Sequence, residues 1–219
     1  PKHLEDHIGR KNIINIYDVY EEDGYLHFDM ENATGNLFDL GKIINLSYIK
    51  EKILIDISNG LQYLHAFGFN HLDINLKNIV YIGNLDNLKF ILIDFGNSVH
   101  INRMNTYQTP TYYTMSYELV LMSKFKNYEM FFHRKSDIWS LGLLSYILHT
   151  DNLLTDGESI DSQYDKLNSI LKNPESLNKD IYIHSNMDDS NSDSQMIHKT
   201  NLMLIIDPHY RPVLYFSDI

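Results

Sequence analysis

The chain has 219 residues, of which 43% are hydrophobic and 21% are charged, and its formal net charge is −11. This length and hydrophobic fraction fit one folded domain with a sizeable core and exclude a disordered chain. The acidic balance excludes a general nucleic-acid-binding surface, which needs a basic face; it suits basic protein partners or serves only solubility. The absence of cysteine excludes a disulfide framework and a thiolate metal site.

The location of the protein is inferred from the signals that its sequence lacks. No apolar run approaches the roughly 20 residues that span a bilayer, so we expect no membrane segment. The first residues, PKHLEDHIGR, have neither a signal-peptide pattern nor an initiator Met. We expect an intracellular, cytoplasmic protein that is a processed product or a piece of a longer one. The abundance of Asn, Ile and Tyr suggests an AT-rich genome, such as that of a large DNA virus, whose proteins would occupy the host cytoplasm.

The first half of the chain predicts two hairpins with a helix between them. Residues 13–30 alternate apolar and aromatic side chains on both sides of the turn EEDG, which predicts two strands. Residues 46–68 predict a helix that stops at Gly68. The apolar residues at helical spacing are Ile49, Ile53, Ile57, Leu61 and Leu64. The strands NIVYI and KFILID then flank the turn GNLDN and form the second hairpin.

The second half of the chain is less regular. Residues 97–118 are polar without a clear period, and a loop of that length in a compact domain is usually functional. Residues 135–150 are apolar almost all round, which predicts a buried helix. The polar, low-complexity residues 185–195 predict a surface loop. Residues 203–213 predict a helix end followed by a proline-marked turn.

Polar side chains cluster around the second hairpin. Asp73 and Asn78 are five residues apart around a turn, and Asp94 ends the strand KFILID. Two carboxylates and one amide oxygen near one point suit Mg²⁺, which keeps waters and binds substrate phosphates. A carboxylate left free of metal could orient a hydroxyl and accept its proton, and Gly96 would let the backbone turn sharply after Asp94. The pattern favours phosphoryl transfer, although each side chain alone could instead cap a turn.

The motifs of the chain resemble, in order, those of the eukaryotic-type protein kinase family. HLDINLKN (71–78) resembles the catalytic loop, and DFG (94–96) matches the metal-binding triplet. Four further motifs resemble the hinge, the Ala-Pro-Glu triplet, the central buried helix and the late motif whose Arg pairs with the Glu of that triplet. They are MEN (30–32), SYE (116–118), DIWSLG (137–142) and DPHYRP (207–212). The resemblance runs from about residue 12 to the C-terminus.

This resemblance implies an α+β, protein-kinase-like fold. A mainly α-helical C-terminal lobe, residues 33–219, would carry short β-hairpins at the nucleotide cleft, and residues 1–32 would be a remnant of the N-terminal lobe. The family's Gly-rich loop, its strand Lys and its helix Glu would all lie upstream of residue 12. We therefore expect either a fragment of a longer kinase or a protein that has lost half of its ATP clamp.

The resemblance also implies ATP and Mg²⁺ as cofactors and assigns the chemistry to the catalytic loop. Asp73 would orient and deprotonate the substrate hydroxyl, Lys77 would assist at the γ-phosphate, and Asn78 and Asp94 would hold Mg²⁺. Within the family the Glu118–Arg211 pair and Asp137 are structural, and Asp137 would brace the catalytic loop.

The hinge residues would bind the adenine ring. Met30 would be the gatekeeper beside the adenine pocket, and the backbone of Glu31 and Ala33 would hydrogen-bond adenine. Val80 would form the floor of that pocket.

The chain departs from the family pattern at Leu72 and Asn75, and Tyr117 replaces the Pro of the Ala-Pro-Glu triplet. Leu72 replaces the Arg that normally meets an activation-loop phosphate, so switching by that route is not expected. Asn75 replaces the Lys that many Ser/Thr kinases carry two residues after the catalytic Asp. Lys77 stands four residues after that Asp, where many tyrosine kinases have Arg. It could reach the γ-phosphate or be a solvated loop lysine.

Three functions fit the sequence. The first is a protein kinase that transfers the γ-phosphoryl of ATP to a protein hydroxyl, Ser/Thr by default with Tyr open. The second is a catalytically weak pseudokinase that acts as a binding module, a reading that the missing clamp and the departures support. The third is a small-molecule kinase of the aminoglycoside or choline type, which also uses an acid, an Asn five residues on and a later Asp. DIWSLG, the Glu118–Arg211 pair and the long loop before Glu118 argue against this third function.

Overall fold

The computed structural model describes residues 8–100, 111–125, 135–153, 159–172, 192–204 and 211–212. Its helices are α1 Leu37–Leu40, α2 Lys50–Ala66, α3 Tyr117–Phe125, α4 Lys135–Thr150, α5 Ile160–Lys172 and α6 Ser192–Met203. Its strands are β1 Ile16–Glu22, β2 Tyr25–Met30, β3 Gly35–Asn36, β4 Phe69–Asn70, β5 Ile79–Ile82, β6 Lys89–Leu92 and β7 Val99–His100. Helix outweighs strand, as expected for the α+β fold. Among these elements no helix is both long and apolar enough to cross a bilayer.

The first predicted hairpin is confirmed. Strands β1 and β2 pair antiparallel, with Glu22 opposite Tyr25 across the turn. Asp23 and Gly24 both have positive φ, 53° and 77°, as a two-residue type I′ turn requires, and the Asp-Gly sequence is a preferred one for that turn. Nearly every residue of the two strands is exposed.

The second predicted hairpin is also confirmed. Strands β5 and β6 pair antiparallel from Ile79 opposite Leu92 to Ile82 opposite Lys89. The short strand β3 joins the other edge of β5, which gives the order β3-β5-β6. A separate two-stranded pairing joins β4 to β7 on the two sides of the polar segment that carries the candidate site. This arrangement holds residues 71–78 and 93–98 next to one another.

Helices α2 and α4 form the centre of the core. Helix α4 has the predicted bounds and is buried nearly all round, with Trp139 fully enclosed. Helix α2 follows a 3-10 turn at Leu46–Ile49 and ends at Ala66, two residues before the predicted stop. One apolar cluster joins both helices to β5 and β6; it includes Ile53, Ile57, Leu61, Ile79, Leu92, Ile138, Leu141 and Leu144. Because each such side chain contributes about 1.5–3 kcal/mol when buried, this cluster fixes the hairpin on the helices.

The predictions for the second half of the chain are only partly right. The surface loop predicted over 185–195 is wrong from Ser192, where α6 begins, while residues 185–191 lie outside the described residues. Polar Ser and Asp residues suit a helix N-terminus as well as a loop, so composition did not separate the two. The segment 97–118 also holds β7, a 3-10 turn at Tyr112–Thr114 and the start of α3, and its residues 101–110 lie outside the described residues.

Candidate active site

Asp137, at the start of α4, anchors the loop that carries Asp73. Its fully buried carboxylate accepts hydrogen bonds from the backbone N–H of His71 at 2.8 Å and of Leu72 at 2.7 Å. His65 Nε2 lies 2.8 Å from the same carboxylate. Burial alone would raise the pKa of Asp137, but the hydrogen bond with His65 and the Leu72 amide bring this pKa below its ordinary value. The predicted bracing role of Asp137 is confirmed by these contacts.

Two hydrogen bonds tie the loop to the residue before Asp94. His71 Nδ1 accepts from the backbone N–H of Asp73 at 3.3 Å, so Nε2 carries the proton and donates to Ile93 O at 3.0 Å. The backbone N–H of Ile93 donates to Asn78 O at 3.0 Å. His71 therefore has a structural role in this loop. Because Ile93 is held from both sides, Asp94 lies at the edge of the loop that carries Asp73 and Asn78.

Asp73 is 8% exposed and has polar partners on both carboxylate oxygens. Oδ1 accepts from the backbone N–H of Thr111 at 2.9 Å and from Asn75 Nδ2 at 3.1 Å. Oδ2 accepts from Asn78 Nδ2 at 3.0 Å, and Asn97 Nδ2 lies 3.5 Å away. The structure thus brings Asp73 and Asn78 together in one hydrogen-bonded group.

The backbone turn at the DFG sequence is made differently from the prediction. Asp94 itself adopts the left-handed conformation, with φ 61°, whereas Gly96 does not have a positive φ. Asp tolerates this region because its short polar side chain can bond locally, and the N–H of Gly96 donates to Asp94 Oδ1 at 3.2 Å. A Cβ on Gly96 would lie 3.1 Å from the same oxygen. Glycine at 96 therefore leaves space beside the carboxylate of Asp94.

The residues predicted to hold a magnesium ion are Asn78 and Asp94. Asn78 uses Nδ2 for two bonds to Asp73, at 2.9 and 3.0 Å, which leaves its Oδ1 as the atom that could bind a metal. Asp94 is exposed. No group of three or more His, Asp or Glu side chains in the described ranges is arranged to hold a metal alone. One carboxylate with one amide oxygen suits Mg²⁺, which completes its shell with waters and phosphates.

The predicted hinge residues lie at the end of β2 and just after it. Met30 is 51% exposed. The backbone N–H of Glu31 donates to Asn15 O at 2.9 Å, and its carboxylate accepts from Asn15 Nδ2 at 2.8 Å. The N–H of Glu31 is thus already used, and its carbonyl is the backbone group that could serve adenine.

Ala33 and Val80 belong to one small apolar cluster with Ile14 and Ile91. Two concavities of about 480 and 630 Å³ lie elsewhere, the first lined mainly by residues 41–46 and the second along α5. Neither contains a predicted nucleotide-binding residue. Val80 is buried within this cluster at 7% exposed, whereas Met30 and Asp94 are exposed.

The side chain of Lys77 lies against the ring of Phe38. Its side chain is exposed, and its Nζ lies 5.4 Å from the centre of the Phe38 ring. Its backbone N–H donates to Asn75 Oδ1 at 2.9 Å. The predicted catalytic lysine is therefore an exposed side chain whose Nζ lies near an aromatic ring.

Leu72, in the same loop as Asp73, packs in an apolar environment. It is 2% exposed and packs in one cluster with Val99, Met115 and Trp139. Its backbone is left-handed, with φ 66°, which is strained for a leucine and costs about 1–3 kcal/mol. The apolar packing of this side chain compensates that strain. The same packing joins Val99 of β7 to Trp139 of α4.

The predicted ion pair between Glu118 and Arg211 is confirmed. Arg211 donates Nη1 to Glu118 Oε1 at 2.6 Å and Nη2 to Oε2 at 2.9 Å. Ser136 Oγ donates to the same carboxylate at 2.8 Å, and the guanidinium lies 5.1 Å from the Trp139 ring centre. Both charged groups are buried. The pair joins the start of α3 to the C-terminal motif.

Sequence reasoning missed the roles of Asn75, Thr111 and Asn97 around Asp73. Asn75 was predicted only as a departure from the family pattern. Its contact with Thr111 spans 36 residues, and no spacing pattern in the sequence links two such distant polar side chains. The one available signal was the proximity in sequence of Asn75 to Asp73 and of Asn97 to Asp94.

Comparison with known proteins agrees with the structure. The family model described as "Protein kinase domain" matches residues 3–215. Ribosomal protein S6 kinase alpha-3 of Homo sapiens is 31% identical over 144 residues, which are 64% of this chain and 19% of that protein. Calcium-dependent protein kinase 5 of Plasmodium berghei is 32% identical over 146 residues, 63% of this chain and 24% of that protein.

Serine/threonine-protein kinase H1 of Homo sapiens is 30% identical over 148 residues, 63% of this chain and 32% of that protein. The matched region thus spans only about a fifth to a third of the length of these relatives. The family match nevertheless covers nearly the whole chain, and the catalytic-loop geometry, the Glu118–Arg211 pair and the buried helix α4 are in place. The chain belongs to the eukaryotic-type protein kinase family.

Proposed function

We propose that the protein transfers the γ-phosphoryl group of ATP to a serine or threonine hydroxyl of a protein substrate. The observation that carries the proposal is the hydrogen-bonded group of Asp73 and Asn78 at the end of the hairpin that leads into Asp94. Folding alone does not require two carboxylates and an amide at this edge. The names of relatives such as serine/threonine-protein kinase H1 support Ser/Thr as the acceptor.

Asp73 is the group that would orient and deprotonate the hydroxyl. An ionised carboxylate has about four lone-pair sites, and Oδ1 already accepts two good hydrogen bonds. Oδ2 accepts one good bond from Asn78 and only a long one from Asn97, so it is the oxygen with capacity for a substrate hydroxyl. In the transfer, the hydroxyl oxygen bonds to the γ-phosphorus, the bond from that phosphorus to ADP breaks, and the hydroxyl proton passes to Oδ2.

Asn78 Oδ1 and Asp94 would hold the magnesium ion, which when bound neutralises the charge of the ATP phosphates. The carbonyl of Glu31 and the N–H of Ala33 would bind the adenine edge, Met30 would stand beside the ring, and Val80 would support its face. The exposed position of Lys77 leaves its side chain able to turn from the Phe38 ring toward the γ-phosphate.

The test is phosphoryl transfer by the protein at its full natural length. The protein is incubated with γ-labelled ATP, Mg²⁺ and matched basic and acidic peptides that contain Ser, Thr or Tyr. We expect label on Ser or Thr and a preference for basic peptides, because the chain carries a net charge of −11. Lys77→Ala should lower the rate about 100-fold, because it removes one charge-stabilising donor, while Lys77→Arg should retain most of the rate. Label on an aminoglycoside or choline with none on protein would overturn the proposal, as would the absence of transfer to any acceptor.

A further inference from the structure

Asn75 uses both ends of its side-chain amide. It is 4% exposed and lies two residues after Asp73. Its Nδ2 lies 3.1 Å from Asp73 Oδ1 and 2.9 Å from Thr111 Oγ1. Its Oδ1 accepts from the backbone N–H of Lys77 at 2.9 Å and of Asn78 at 3.2 Å. The donor end therefore faces the carboxylate of Asp73 and the segment before α3, and the acceptor end faces its own loop.

The donor end closes a ring of three residues. Asn75 Nδ2 bridges Asp73 Oδ1 and Thr111 Oγ1, and the backbone N–H of Thr111 returns to Asp73 Oδ1 at 2.9 Å. Two donors converge on one carboxylate oxygen from segments 36 residues apart. Rotation of the carboxylate about its last side-chain bond would break both hydrogen bonds, so the ring fixes the direction in which Oδ2 points.

We propose that Asn75 is a positioning residue, which clamps the carboxylate of Asp73 to Thr111 and so aims Oδ2 at the substrate hydroxyl. The inference rests on the proposed function of Asp73 as the proton acceptor. It gives a role to a residue that the sequence marks only as a departure from the family's lysine. An uncharged amide performs the positioning here, and it adds no positive charge to the site.

The competing explanation is that Asn75 only caps a turn. Asn and Asp side chains commonly accept hydrogen bonds from backbone N–H groups two or three residues on, as Asn75 Oδ1 does with Lys77 and Asn78. Two substitutions separate the explanations. Asn75→Asp keeps the acceptor for the turn and removes the donor, whereas Asn75→Lys keeps a donor able to reach Asp73 and Thr111 and removes the acceptor.

The experiment measures kcat and the KM for ATP and peptide with the full-length protein. Asn75→Asp and Thr111→Val should each lower kcat about 10- to 100-fold, because a misaligned reacting group costs that much, with little change in the KM for ATP. Asn75→Lys and Thr111→Ser retain the bridging groups, so each should keep most of the wild-type kcat. Wild-type kcat in Asn75→Asp together with a large loss in Asn75→Lys would show a turn cap and overturn the clamp.

A second measurement tests the clamp and does not require phosphoryl transfer. Hydrogen–deuterium exchange of the backbone N–H of Thr111 reports its bond to Asp73 Oδ1, and thermal melting of each variant verifies folding. Exchange at Thr111 should be faster in Asn75→Asp than in the wild type and restored in Asn75→Lys. Unchanged exchange in a folded Asn75→Asp variant would overturn the clamp. Absence of phosphoryl transfer by the wild type would instead reject the proposed function, while the exchange result still decides the clamp.

Discussion

Asp73→Ala is expected to lower kcat by about 10²- to 10⁴-fold, the range that a positioned general base contributes. The substitution removes the one carboxylate that receives Asn75, Asn78 and Thr111 at hydrogen-bonding distance. The hydroxyl then lacks both an orienting group and a proton acceptor. Steady-state phosphorylation of the best peptide substrate gives the number directly, with the protein at its full natural length.

Two companion variants make this prediction specific. Asp73→Asn keeps the shape of the side chain and removes its charge, so it should be as inactive as the alanine variant. Asp86→Ala removes an exposed carboxylate in the turn between β5 and β6 and should leave kcat within about twofold. Wild-type kcat in a folded Asp73→Asn protein would mean that Asp73 is not the base.

Arg211→Ala is expected to destabilise the fold by about 3–5 kcal/mol, because it leaves the carboxylate of Glu118 buried without its cation. Among the described residues, the hydroxyl of Ser136 would be the side-chain donor that Glu118 keeps. The truncation also removes the guanidinium from the face of the Trp139 ring. The loss is measured as the change in the free energy of unfolding by urea, with the far-UV signal as the probe.

A surface ion pair is the matched control for the buried one. Lys124 pairs with Asp161, whose side chain is 79% exposed, and Lys124→Ala should cost under about 1 kcal/mol because solvent screens such pairs. The contrast between the two variants tests whether burial makes the Glu118–Arg211 pair important. Equal and small losses in both variants would contradict that account.

The sequence was sufficient where one local rule dominates. The Asp23–Gly24 pair demands two positive φ angles and so fixed the first hairpin, and the uninterrupted apolar character of residues 135–150 marked the buried helix α4. The order of the kinase motifs was sufficient for the pairing of Glu118 with Arg211, which lie 93 residues apart. In these cases either a local sequence pattern or the order of the family's motifs is enough to predict the structural feature.

The sequence was insufficient to predict features that depend on tertiary contacts. Left-handed backbone at Leu72 and Asp94 could not be read from residue type, since leucine disfavours this conformation and the packing around it imposes the angle. The bridge from Asn75 to Thr111 depends on how two distant segments meet. The helix that begins at Ser192 has a polar first turn that resembles a loop in composition.

The proposed function requires Asn78 and Asp94 to hold one magnesium ion against the phosphates of ATP. The most direct measurement is the thermal stability of the full-length protein with ATP, in the presence and absence of Mg²⁺, for the wild type and for Asp94→Asn. ATP with Mg²⁺ at 100 times its Kd should stabilise the wild type by about 2.7 kcal/mol, and Asp94→Asn should lose the part of this stabilisation that depends on magnesium. An equal magnesium-dependent stabilisation in Asp94→Asn would show that Asp94 does not hold the ion.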